Sequence, residues 1–215
     1  MAGSAPAGAS LRELAAAAHD CTACELYKTG TQTVFGSGAR RASIMLVGEQ
    51  PGDAEDRSGE PFVGPAGKLL DRALHDAGLD RANLYLTNAV KHFRWEPAER
   101  GKRRIHRKPA TAHVHACHPW LAGELDAVRP RVLVALGATA AQALFGSAFR
   151  LTQHRGERLA WPPERGEFAD HERAVEAALA TIHPSAVLRG DDDTRAALYD
   201  GLVGDLTLAR EAADH

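Results

Sequence analysis

Four short apolar runs organise the chain. Residues 43–47 (Ser-Ile-Met-Leu-Val), 83–90, 131–136 and 179–182 carry no sustained polar alternation, as expected of strands covered on both faces. Between them the apolar positions recur with helical spacing. Over 66–77, Leu69, Leu70, Leu74 and Ala77 form one stripe, and Gly78 follows as a stop. Further helices are predicted over 111–128, from Gly137-Ala-Thr to Phe145, and from about 193 to 213, while Ser10 and Glu13 make a capping box for an Ala-rich helix near the start. Strands alternating with helices predict an α/β fold, a single-domain three-layer sandwich over residues 1–215 with a mainly parallel central sheet flanked by helices. Residues 1–9 are expected to be disordered. Residues 91–110 are polar, basic and rich in turn formers, which predicts a long exposed loop.

In a sheet of this kind ligands bind beyond the carboxyl ends of the strands. Three polar segments end predicted strands there: Gly48-Glu-Gln-Pro-Gly52, Thr87-Asn-Ala-Val-Lys-His92 and His183-Pro-Ser185. Their side chains should converge on one site.

Charge and cysteine content sharpen this picture. The formal net charge of −2 over 215 residues argues against a nucleic-acid partner, but averages conceal patches. Residues 100–108 read Arg-Gly-Lys-Arg-Arg-Ile-His-Arg-Lys, six cations in nine positions, whereas acids gather at 53–56 and 191–193. A local basic stripe sets phosphate affinity. No apolar run approaches the roughly 20 residues of a membrane helix. The opening Met-Ala-Gly-Ser-Ala-Pro lacks a signal-peptide pattern, so a cytoplasmic protein is expected. Three cysteines make a disulfide framework unlikely in a reducing compartment. Cys21-x-x-Cys24 with the distant Cys117 points to a metal site. Zinc and a four-iron cluster both accept three thiolates and a histidine, and spacing alone leaves His92 and His113 as alternatives for the fourth ligand.

The segment Gly48-Glu-Gln-Pro-Gly-Asp-Ala-Glu-Asp-Arg-Ser-Gly-Glu-Pro-Phe-Val-Gly-Pro-Ala-Gly-Lys-Leu-Leu-Asp71 closely resembles the first active-site motif of family four uracil-DNA glycosylases. His183-Pro-Ser-Ala-Val-Leu-Arg189 is similar to their second motif, and Thr87–His92 to the segment carrying a cluster cysteine, with His92 in that cysteine's place. The resemblance implies a structural [4Fe–4S] cluster on Cys21, Cys24, His92 and Cys117, and uracil-containing DNA as the partner of a monomer. It also gives the pocket residues roles. A glycosylase extrudes its nucleotide and leaves an oxocarbenium-like sugar beside an anionic base. Glu49 would stabilise the cation, His183 would donate to a uracil carbonyl, and Asn88 would match the O4/N3 edge. Phe62 would stack on the base, Gly48 and Gln50 would help hold it, and Glu55 would crowd the uracil C5 position. Ser185, Leu188 and Arg189 would engage DNA, the last two in the minor groove.

Twenty-four residues separate His92 from Cys117, a long stretch for this family. The extra length resembles the signature loop of the UdgX branch, whose members become covalently attached to uracil-containing DNA. Lys102, Arg103, Arg104, Arg107 and Lys108 are expected to grip phosphates. His106, among these cations, is expected to stay neutral and to attack C1′ of the sugar. The rival readings are an ordinary multiple-turnover uracil-DNA glycosylase and a non-catalytic metal-containing DNA-binding module.

Overall fold

Runs of β-branched and aliphatic residues pair where both faces can be covered, and the parity of the side chains shows which layer covers each face. The computed structural model describes residues 5–99, 103–171 and 175–214. In chain order its strands are β1 (Ser37–Gly38), β2 (Ile44–Gly48), β3 (Tyr85–Asn88), β4 (Trp95–Pro97), β5 (Arg104–His106), β6 (Val132–Leu136) and β7 (Ala177–Thr181). Its α-helices are α1 (Leu11–His19), α2 (Asp53–Ser58), α3 (Pro65–Asp76), α4 (Thr111–Val128), α5 (Ala138–Phe145), α6 (Leu151–His154), α7 (Pro184–Arg189) and α8 (Asp192–Asp214). The main sheet runs β1-β3-β2-β6-β7, parallel except for the short edge strand β1.

Ile44, Leu46, Leu86, Val132, Val134, Leu136 and Leu179 face one layer, where α3, α7 and α8 supply Leu69, Leu70, Val187, Leu202 and Leu206. Met45, Val47, Tyr85, Leu133, Ala135, Ala178 and Ala180 face the other, where α4 and α5 supply Leu121, Leu125, Ala140 and Leu144. Every residue of β2, β6 and β7 is buried, which is the physical reason for runs without polar alternation. Each fully buried leucine contributes about 1.5–3 kcal/mol. The predicted three-layer α/β architecture is therefore present. Among the described residues, no helix is long and apolar enough to cross a membrane.

Several boundaries differ from the expectations for local reasons. The strand expected over 83–90 is shortened to β3, because Asp80 caps a 3-10 turn over Arg81–Asn83. The last strand begins at Ala177, since Ala177 and Ala178 pair with Val132 and Leu133. Alanine carries little strand signal on its own. The acidic run after Gly52 is the short helix α2, closed by Glu55 reaching back to the Gly52 amide at 3.1 Å. The loop expected over 91–110 contains an antiparallel hairpin, β4 against β5, pairing Trp95 with His106 and Pro97 with Arg104. Of the residues expected to be disordered, 1–4 lie outside the described residues, whereas Ala5 packs against Ala18, Cys21 and Trp120.

Strand order fixes where the site forms. The chain goes from β2 to β3 on one side, then crosses to β6 on the other, so β2 lies at the topological switch point. Beneath it sits a buried ion pair. Lys91 Nζ donates to Glu124 Oε2 at 2.5 Å, to Thr87 Oγ1 at 2.7 Å and to the Asn88 carbonyl at 2.7 Å. Glu124 also accepts from Tyr85 Oη and the Gly36 amide. The side chains of Lys91 and Glu124 are 1% and 0% exposed, so neither charge has water to fall back on. Lys91→Met should destabilise the protein by about 3–5 kcal/mol, because it strands the Glu124 charge, and Lys91→Met/Glu124→Leu should recover much of that loss. Urea unfolding of the three proteins checks both statements.

Candidate active site

Four strand ends meet above β2. Gly48 ends β2, and a Cβ there would stand 2.4 Å from Asn88 Oδ1 and 2.6 Å from Phe62 Cζ. Only glycine lets those two side chains close over the strand end. Asn88, 3% exposed, ends β3 in register with Gly48. Phe62 is buried with φ +57°, a left-handed conformation that turns its ring toward His183, 6.3 Å away between centroids and inclined by 28°. Gly137, φ +93°, follows β6 and lies where a Cβ would meet His183 Cβ at 2.9 Å.

His183 caps α7. Its Nδ1 accepts the Ser185 amide at 3.1 Å and faces Ser185 Oγ at 2.8 Å. An acceptor Nδ1 places the ring proton on Nε2. Burial, the Arg189 guanidinium and His106 together push the pKa of His183 down to about 4, so the ring is a neutral N–H donor at pH 7. Arg189 also donates to Ser185 Oγ at 3.0 Å.

Glu49 and Gln50 extend from β2 toward the hairpin. Glu49 Oε1 is 3.5 Å from His106 Nε2, and Glu49 Oε2 accepts from Thr139 Oγ1 at the start of α5. Gln50, 7% exposed, clamps the open end of the hairpin. Its Oε1 accepts the Arg94 amide at 3.1 Å, so its amide nitrogen is the group facing the Arg94 and Arg107 carbonyls and His106 Nε2, the last at 2.8 Å. That pattern makes His106 Nε2 the acceptor and puts the ring proton on Nδ1. Half of the His106 side chain is exposed, and its ring leans on Phe93 with centroids 5.9 Å apart. Burial holds its pKa below the ordinary imidazole range, Glu49 opposes that shift, and Arg189 reinforces it. The cause expected from the sequence, repulsion from the neighbouring loop cations, is therefore replaced by burial and by Arg189 from α7.

The basic loop divides into different roles. Arg104 departs from the phosphate-gripping expectation. Its guanidinium meets Asp53 and, at 2.6 Å, Asp56, with the side chain only 10% exposed. It also lies over the rings of Phe93 and Trp95, 5.3 Å from each. Two carboxylates use up its charge, so it pins the hairpin to α2. Arg103 and Lys108 are exposed, and Arg107 is exposed apart from a surface pair with Glu96 at 2.8 Å. Lys102 lies outside the described residues. Glu55 is buried and braces the motif from within. Both of its oxygens are taken, one by the Gly52 amide and one by the Gly64 amide at 2.8 Å, so it staples α2 to the loop before α3. Leu188 is 42% exposed on α7, beside Arg189.

The thiols gather away from this pocket. Cys21, Cys24 and Cys117 carry no disulfide, and each lies within electrostatic reach of the other two. The Lys91 amide points at the Cys117 sulfur and the Leu26 amide at the Cys24 sulfur, donors that favour thiolate. Without a metal ion, burial dominates and pushes the Cys117 thiol up to about 12. His113 is accounted for by other contacts, its Nδ1 accepting the Ala110 amide and its Nε2 facing Glu25 at 2.7 Å. His92 is buried, with Nε2 3.1 Å from Thr33 Oγ1 and its pKa lowered by burial against the pull of Asp56. No group of three or more such side chains is arranged to hold a metal ion among the described residues. The donor chemistry, three free thiols with amides directed at two of them, nevertheless suits a thiolate-ligated iron–sulfur group.

Sequence reasoning missed Thr139, Phe93, Arg94 and the Asp53–Asp56 anchor. For Thr139 a signal existed, since Gly137-Ala-Thr also follows an apolar strand and opens a helix.

Comparison with known proteins fits this architecture. The family model of the uracil DNA glycosylase superfamily matches residues 35–207. The chain is 38% identical over 181 residues to a type-4 uracil-DNA glycosylase of Archaeoglobus fulgidus, covering 83% of each chain. Type-4 uracil-DNA glycosylases of Sulfurisphaera tokodaii and Thermotoga maritima are 33% and 35% identical, over 83% and 79% of this chain and 76% and 78% of their own.

Removing the Arg104 anchor should release the hairpin without touching the sheet. In Arg104→Ala the buried Asp56 loses its main countercharge, at a cost of about 2–4 kcal/mol. Amide exchange in β4 and β5 should rise at least about tenfold, while β2 and β6 stay protected. Hydrogen-exchange mass spectrometry reads both, and an unchanged hairpin would show that Gln50 alone suffices.

Proposed function

The chain belongs to the uracil-DNA glycosylase superfamily, and from that premise we propose that it excises uracil from DNA and is then captured by its own product, as in the UdgX branch. The observation that carries this reading is the placement of His106 Nε2, an acceptor nitrogen, 3.5 Å from Glu49 Oε1. A nucleophile and the carboxylate suited to a sugar cation occupy one spot.

The residues divide the work as follows. With the nucleotide extruded, Phe62 stacks on the base and Asn88 reads its polar edge. His183 Nε2–H donates to a uracil carbonyl as the glycosidic electron pair leaves with the base. Glu49, steadied by Thr139, stabilises the positive charge on the sugar. His106 then gives its Nε2 lone pair to C1′. The resulting imidazolium sheds its Nδ1 proton to solvent and leaves a neutral N-alkyl imidazole with no ready leaving route. Water competes for the same carbon, but a positioned group reaches effective molarities of about 10⁵ M or more, against roughly 55 M for bulk water. Arg103, Arg107 and Lys108 supply salt-sensitive phosphate contacts, and Leu188 with Arg189 fills the space left in the duplex. Cys21, Cys24, Cys117 and His92 are the residues that would hold a [4Fe–4S] cluster. Such a cluster supplies a structural crosslink between the N-terminal segment, the Lys91–His92 turn and α4.

Boiling the protein with uracil-containing single-stranded DNA in detergent should leave a slow-migrating adduct whose crosslinked peptide contains His106. His106→Ala should lose that adduct and retain DNA binding. Free abasic DNA beside unmodified protein would instead identify an ordinary turnover glycosylase, and an unprocessed substrate a binding module.

The pH dependence follows from the lowered pKa values. Both rings act in the neutral form, and a base with a depressed pKa is protonated only when pH falls below that depressed value. The acid midpoint of adduct formation should therefore lie below the ordinary imidazole pKa of about 6.5. The loss follows protonation of His106, whose pKa burial lowers, and of His183 near 4. Single-turnover rates measured against pH provide the check, and a midpoint at the ordinary imidazole value would contradict it.

A further inference from the structure

A large cavity lies at the opposite end of the strands from the pocket above β2. It is a cleft of about 1520 Å³ between the segment preceding α1, α1 itself and the C-terminal half of α4. Arg40 and Arg41 enter it from the turn ahead of β2, Arg12 from α1, and Arg129 from the end of α4. These are the amino-terminal ends of β2 and β6, separated from the candidate active site by the length of a five-residue strand, about 17 Å.

All four arginines are exposed, and none makes an ion pair with a described carboxylate. That sets them apart from Arg57, Arg81, Arg104, Arg107, Arg131 and Arg155, each of which has one. Two acids also line the cleft, Glu13 within electrostatic reach of Arg12 and Asp126 with its carbonyl accepting from Arg129 Nε at 3.4 Å, so four cations face two carboxylates. Glu13 is held by the amide and hydroxyl of Ser10, and Asp126 faces His171. Arg129 moreover sits at φ +56°, a left-handed conformation that costs a residue with a Cβ about 1–2 kcal/mol. Between the guanidinium groups the partly exposed apolar lining is Leu11, Ala122 and Ala127, with Leu14 and Val128 buried beneath it.

We propose that this cleft docks an extended acidic peptide segment of a protein partner, with carboxylates on the four arginines and apolar side chains against Leu11, Ala122 and Ala127. Size and lining select that occupant. The volume exceeds the roughly 300–1,000 Å³ of small-molecule sites, which favours a chain segment over a free anion. No aromatic or histidine side chain lines the cleft among the described residues, so the base stacking that retains single-stranded nucleic acid, about 1–3 kcal/mol per base, is missing. Arginine, with its planar fork, pairs with carboxylates in two-point geometry. A partner held here leaves the pocket above β2 open, so docking and DNA processing are compatible, and neither depends on the other being correctly assigned.

The test titrates the full chain against a fluorescein-labelled peptide of about eight alternating aspartates and leucines, followed by anisotropy. A lysine–leucine peptide and a uracil-free oligothymidylate serve as comparison probes. The expected result is saturable binding of the acidic peptide that weakens at least about tenfold in Arg40→Glu/Arg41→Glu, weakens again as salt rises, and leaves uracil-DNA processing unchanged. Arg12→Glu, on a different element, should weaken the peptide in the same direction. Absence of binding, equal binding of the lysine peptide, or affinity indifferent to all these substitutions would overturn the proposal. So would an oligothymidylate that displaces the peptide and loses affinity in the charge-reversed protein, because that would make the cleft a nucleic-acid site.

Discussion

A positive charge and two negative ones decide where the hairpin sits. Arg104 points inward from β5, and Asp53 and Asp56 wait on α2, immediately after the loop that carries Glu49 and Gln50. An arginine with its side chain only 10% exposed would be expelled into water without partners, and Asp56, fully buried, would be costly to leave unpaired. Each side therefore requires the other. Side chains alternate along a strand, so Arg104 and His106 share one face of β5 while Ile105, 40% exposed, takes the opposite one. Fixing Arg104 to α2 consequently aims His106 at the end of β2. Gln50 completes the clamp by binding the main chain of Arg94 and Arg107, the residues that flank the hairpin strands at its open end. Without these contacts a stretch of this length would sample many arrangements, and a histidine on it would have no advantage over water.

Much of this arrangement could be read before any coordinates, because it follows from strand ends. Apolar runs mark the strands, the switch-point rule puts their carboxyl ends together, and Glu49, Asn88 and His183 are the polar residues standing there. The helix over 111–128 was legible to the residue. What escaped was contact between segments that lie far apart in the chain. Thr139 is ninety residues from Glu49, and Glu124 thirty-three from Lys91. Nothing local distinguishes either from a surface residue. Arg103 and Arg104 are adjacent and chemically identical, yet one is exposed and the other is spent on two aspartates. Only the hairpin register separates them, and a run dominated by polar and turn-forming residues conceals that register. For His106 the sequence points to the neighbouring loop cations as the cause of a lowered pKa, whereas burial leads and the cation acting on the ring is Arg189 of α7.

Lys91 joins two regions that sequence motifs describe separately. Its side chain holds the Asn88 carbonyl and the Glu124 carboxylate, and its amide faces the Cys117 sulfur. The same residue thus shapes the floor of the pocket and one wall of the thiol cluster. A group bound by the thiols would stiffen the 88–92 turn from below while the ion pair stiffens it from within. A structural role for such a group is physically sufficient, since the turn also bears the residue that reads the base in the proposed reaction.

Charge balance then explains why two depressed imidazoles serve that reaction. Glu49 and Arg189 bring opposite charges to the site, so with both rings neutral the pocket is close to electroneutral before the bond breaks. Cleavage creates a cation at the sugar and an anion at the base. Glu49 lies beside His106, where the proposed cation forms. Arg189 acts on both rings from α7, on the side of His183, where the proposed anion departs. Were His106 protonated beforehand, it would cancel Glu49 and have no lone pair to offer. Were His183 protonated, its charge would oppose the positive charge that appears at the sugar and the imidazolium that His106 becomes on attack. Burial is the one influence that keeps both rings neutral without adding a charge of its own. It acts on His106 only because the anchored hairpin closes over the end of β2.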